Sequence, residues 1–139
     1  RQIISENTPK AWLDWAESKK PYKMFLAHLA RMDKDSIDRI NNLENVVVGL
    51  GPDIMLQGEP MRLREPTTNI LRDALIWINN GKLLFSTDFA WNVYDRTKWG
   101  DFDWGTKDRL KEEANKLDIS EEGICNILGR NAIGFFELY

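Results

Sequence analysis

At 139 residues the chain fits a single domain, and a composition 42% hydrophobic and 29% charged argues against disorder. A net charge of -3 with no Lys/Arg run removes the electrostatic footprint that nucleic-acid binding requires. There is no apolar run of transmembrane length and no signal peptide, so neither a membrane partner nor export is expected and the default setting is cytoplasmic.

The first element is announced by "ENTPKAWLDWAESKKP". Thr8 can accept from first-turn amides, and Pro9 at the first helical position loses no needed donor. Trp12, Trp15 and Ala16 follow at helical spacing, and Pro21 stops the helix. "YKMFLAHLA" is an apolar run of strand length. "DKDSIDRINNL" puts Ile37, Ile40 and Leu43 on one helical face. "NVVVGL" is β-branched, short and apolar on both alternating faces, the pattern of a strand buried on both sides.

A Gly- and Pro-rich loop spans Gly51 to Pro66 and carries Arg62 and Arg64. These arginines suit either a solvated loop or an anionic ligand, and the loop is the favoured reading. "TTNILRDALIWINNG" is a third helix with a stripe of Ile70, Leu71, Ala74, Leu75 and Ile78, and Gly81 is expected as its left-handed cap. "KLLFST" is the third strand.

After Asp88 an aromatic loop, "FAWNVYDRTKWGDFDWG", precedes a helix over "TKDRLKEEANKL" with Leu110, Ala114 and Leu117 inward. Ser120, followed by Glu121 and Glu122, starts another helix; Gly129 is expected to break it, and Asn131 to cap a last one, "NAIGFFELY". The single cysteine, Cys125, has no internal disulfide partner and reads as a small packed thiol rather than a nucleophile.

Helices alternating with two-sided apolar strands imply parallel strands and right-handed crossovers. The fold class is α/β, either a doubly wound sheet or a (β/α) barrel. In both, active sites lie at the carboxyl ends of the strands. That rule selects His28, the only histidine, after the first strand, and Asp88 after the third. Imidazole and carboxylate are the usual proton-transfer pair near neutral pH, and both bind metals. The plainer alternatives are a core histidine bonded to a backbone carbonyl and an aspartate that caps a turn.

Three segments resemble the amidohydrolase-2 group of the amidohydrolase superfamily. "KMFLAHLARMDKDSIDRINNLENVVVGL" resembles its sixth-to-seventh-strand portion, "KLLFSTDFAW" its eighth strand, and "DISEEGICNILGRNAIGFF" its C-terminal signature. They occur in the family's order and together span most of the chain, from Lys23 to Phe136. The resemblance implies a (β/α)8 TIM barrel, of which residues 1–139 would form one partial-barrel domain from the fifth crossover helix to the C-terminus. It also implies a mononuclear divalent metal, often zinc.

By this resemblance Asp88 binds the metal or sits beside it and exchanges a proton with activated water or substrate, and His28 polarises the substrate or shuttles protons. A metal-bound water has its pKa lowered towards neutrality, which suits a carboxylate partner. Phe89 and Trp91 are candidates to line the pocket, whereas Trp99 and Trp104 are read as burying the loop. The family's His-Leu pair is usually followed by glycine; here Ala30 and Arg31 follow, and Arg31 is either an anchor for an anionic substrate or a surface residue.

The family's first-strand His-x-His pair and fifth-strand histidine have no counterpart, because the chain has one histidine. The chain also begins at Arg1 rather than Met. The expectation is therefore a C-terminal fragment, inactive and without bound zinc on its own. Its partners would be the missing N-terminal part of the barrel and a small-molecule substrate, and open strand edges would invite homo-oligomers. The activity expected of the whole protein is hydrolysis of a lactone, ester or amide. A decarboxylase (lyase) of the same group, or a non-catalytic α/β interaction domain, are the alternatives.

Overall fold

A computed structural model describes residues 9–27, 34–51, 70–86 and 102–138. Helix α1 (Pro9–Ser18) begins on its proline, as the missing N–H predicts. It ends before Pro21, where the Tyr22 amide donates to the Lys19 carbonyl at 2.8 Å. Its inward face is Leu13 with Ala16, both fully buried, whereas Trp12 and Trp15 are 46% and 43% exposed. The two tryptophans thus flank the buried stripe instead of forming it. Leu13 fits the crowded centre of the contact, and indoles too large to enclose fully sit at its rim.

Strand β1 (Met24–Leu26), helix α2 (Lys34–Asn42), strand β2 (Val46–Leu50), helix α3 (Ile70–Trp77) and strand β3 (Leu83–Phe85) follow in alternation. The strands form a three-stranded sheet in the order β1-β2-β3, parallel throughout. Register pairs Leu26 with Val48 and Val48 with Leu83, so these share one face with Met24, Val46 and Leu50. That face joins Leu13, Ile37, Ile40, Leu71, Ile78 and Leu110 in one apolar core. Each such aliphatic contributes about 1.5–3 kcal/mol on burial. The opposite face carries Phe25, Val47, Gly49 and Leu84; Val47 and Leu84 are buried but lie outside that core. The described core therefore lies on one side of the sheet.

The amino ends of the strands are tied by asparagines. Buried Asn45, just before β2, donates its amide to the carbonyls of Ala16 and Tyr22, both at 2.9 Å. Asn41 at the end of α2 donates to the Trp77 carbonyl at 2.9 Å and accepts from the Asn79 amide at 2.8 Å. The Asn41 bond supplies a donor to a carbonyl at the end of α3, and the Asn45 bonds tie the end of α1 to the turn before β1.

Several expectations about the C-terminal half are corrected. Gly81 is not a left-handed cap. Helix α3 stops at Trp77, and Gly81 lies in a 3-10 turn (Asn80–Lys82) whose lead residue Asn79 accepts from the Gly81 amide at 3.0 Å. Helix α4 (Phe102–Lys116) starts earlier than read, so Phe102, Trp104 and Gly105 belong to helix rather than loop. One glycine costs about 1 kcal/mol in a helix interior, which burial of Leu110 and Ala114 outweighs.

Ser120 caps α5 (Glu121–Cys125) as read, accepting from the Gly123 amide at 3.1 Å. Gly129 does not break this helix. The chain continues through a π turn (Asn126–Arg130) into α6 (Asn131–Phe136), held by buried Ile124 and Ile127. Asn131 makes no cap for α6; its side chain reaches the Asn80 and Leu83 carbonyls instead. Cys125 is helical but exposed, because Ile124 and Ile127 take the inward positions.

Candidate functional site at the carboxyl ends of the strands

Because the strands are parallel, Leu26, Leu50 and Phe85 end them on the same side of the sheet. Neighbouring strands lie about 4.8 Å apart, so the ends of β1 and β3 flank β2 at roughly 10 Å from one another. In the chain His28 follows the last residue of β1 by two positions, and Asp88 follows the last residue of β3 by three. His28, Arg31, Asp88, Phe89 and Trp91 all lie outside the described residues, as do Arg62, Arg64 and Trp99.

The described wall around this end is apolar. Residues 24–27, 46–51 and 83–86 include no ionisable side chain. At its top the Ser86 amide and the Ser86 Oγ both donate to the Leu50 carbonyl, each at 3.2 Å, which closes the last rung between β2 and β3. Beside it Gly49 has a specific purpose. A Cβ there would stand 2.6 Å from Phe25 Cζ, 2.8 Å from Cε2 and 3.3 Å from Ser86 Oγ. The missing side chain is thus the space into which the Phe25 ring folds, across the face of β2 opposite the core. The sequence alone marks Gly49 only as the end of its strand and does not single out Phe25 or Ser86; the available signal is a glycine inside an otherwise β-branched strand, which marks close approach.

Two groups of charged side chains tie other parts of the fold together. Arg39 of α2 reaches Asp14 at 2.8 Å and Glu17 at 3.0 Å, an exposed cluster linking α2 to α1. Hydrogen bonds from Lys10, then Arg39, hold the Asp14 carboxyl below its usual range. Lys82, at the amino end of β3, donates to the Leu43 carbonyl at 2.6 Å; burial pushes its ammonium down, opposed by Glu44. These are ties between elements, remote from the carboxyl ends.

Among the described residues no group of three or more His, Cys, Asp and Glu could hold a metal, and no helix is long and apolar enough to cross a membrane. A catalytic zinc site takes three protein ligands. His28 and Asp88 make two donors, one short of that set, and Asp53, three positions after the end of β2, is a second carboxylate that follows a strand end. No protein-family model, curated protein or solved structure matches the chain.

Proposed function

We propose that the chain is the C-terminal part of a metal-dependent hydrolase of the amidohydrolase-2 kind, acting on a small lactone, ester or amide. One observation carries the reading. Three parallel strands stand in chain order with the described helical core on one face, and both His28 and Asp88 follow carboxyl ends of that sheet within three positions. A doubly wound sheet reverses strand order and changes helix side only at its switch point, so one half of it has the same order and sidedness, and the resemblance of the strand-end segments favours the barrel. An arc of a (β/α)8 barrel keeps order and sidedness. Gly49 and the Phe25 ring, on the face without the helical core, would then belong to the barrel interior beneath the site.

In this reading Asp88 takes the proton of the attacking water and His28 orients the scissile group, while other ligands come from strands outside this chain. The test is Asp88→Asn in a gene product that carries all eight strands. Turnover should be lost and, with Asp88 as ligand, metal content lowered. Unchanged turnover in that variant overturns the proposal.

A further inference from the structure

We draw no further inference here: the strongest candidate, the exposed aromatic patch of Trp12, Trp15 and Tyr22 on α1 and the turn that follows it, is an unpartnered apolar face and nothing in the structure shows what covers it.

Discussion

The Asn131 side-chain amide donates to the Leu83 carbonyl at 2.9 Å, joining the last helix to the first residue of β3 across 48 positions of chain. The same nitrogen donates to the Asn80 carbonyl at 2.6 Å. One side chain thereby fixes both the turn that enters β3 and the strand that leads to Asp88. Asn131→Ala should remove one donor from each carbonyl, with the Leu83 amide still donating to that of Asn80, and destabilise the chain by about 0.5–1.5 kcal/mol. Asn131→Asp should do no better, since a carboxylate accepts and cannot donate. Urea unfolding is the measurement. An unchanged midpoint for Asn131→Ala would show that these bonds contribute nothing net.

A second prediction concerns the fit of Phe25 over Gly49. Gly49→Ala puts a methyl 2.6 Å from the Phe25 ring, too close to be accommodated without movement. Overpacking of this kind costs about 1–3 kcal/mol. Phe25 is 41% exposed, so its ring has somewhere to go and the lower part of that range is expected. The diagnostic is non-additivity. In a Phe25→Ala background, Gly49→Ala should lose most of its cost, because the clashing atoms are gone. Equal cost in both backgrounds would mean that Gly49 is needed for its backbone and not for the space.

The end of α4 supplies a stabilising substitution. Asp118 has a φ of 55°, and around it the Ile119 amide donates to the Ala114 carbonyl at 3.0 Å while the Asp118 amide donates to Asn115 at 3.2 Å. That pair of bonds is a Schellman ending with aspartate where glycine is usual. Relief of left-handed strain by Asp118→Gly should stabilise by about 0.5–1 kcal/mol, less the added flexibility of the unfolded chain. A higher midpoint in thermal or urea unfolding checks it; a fall would mean that the aspartate side chain contributes something the backbone geometry does not display.

How much of this was legible in the residues differs by element. Ile37, Ile40, Leu71, Ala74, Leu75 and Ile78 were readable because two helices bury one regular stripe each. Two-sided burial of β2 was readable from the unbroken apolar run. Trp12 and Trp15 misled because hydrophobicity alone does not separate the centre of a helical stripe from its rim. Gly129 and Asn131 misled because local propensity suggested a stop and a cap. Tertiary anchors, Ile127 inside and the Asn80 and Leu83 carbonyls opposite Asn131, overrode it. At the candidate site, strand polarity was legible from the alternation of elements. The Phe25–Gly49 contact was not, since it depends on the register between two strands.

Lys82 gives a pH dependence whose sign is fixed by burial. Its folded-state pKa is lowered from 10.5, chiefly by desolvation. The folded chain therefore holds this proton less tightly than the unfolded chain does. Below the folded value both states are protonated and the cost of the buried charge is present in full. As pH rises from the folded value towards 10.5, the unfolded state binds more protons, so this contribution to stability increases. Other lysines and tyrosines titrate nearby, and the comparison that isolates Lys82 is wild type against Lys82→Gln. The wild type should gain stability relative to the variant across that window. A flat difference between them would show that the ammonium reaches water without cost.

The last prediction follows from counting donors. Zinc in a catalytic site takes three protein ligands, and the proposed reading assigns two residues of this chain, His28 and Asp88, to the centre. Two donors, one of them a carboxylate, leave most of the metal's coordination to water, and affinity falls accordingly. The chain alone, dialysed with zinc and freed of excess, should retain well under one ion per molecule by elemental analysis. His28→Asn and Asp88→Asn should lower even that residue. Exposed Cys125 is a separate thiolate donor, so Cys125→Ser serves as the control that removes adventitious binding. Tight one-to-one zinc surviving in the Cys125→Ser variant, and lost with Asp88→Asn, would mean that copies of the chain complete a site between them. Tight zinc indifferent to both His28 and Asp88 would place the metal elsewhere and remove it as support for the hydrolase reading.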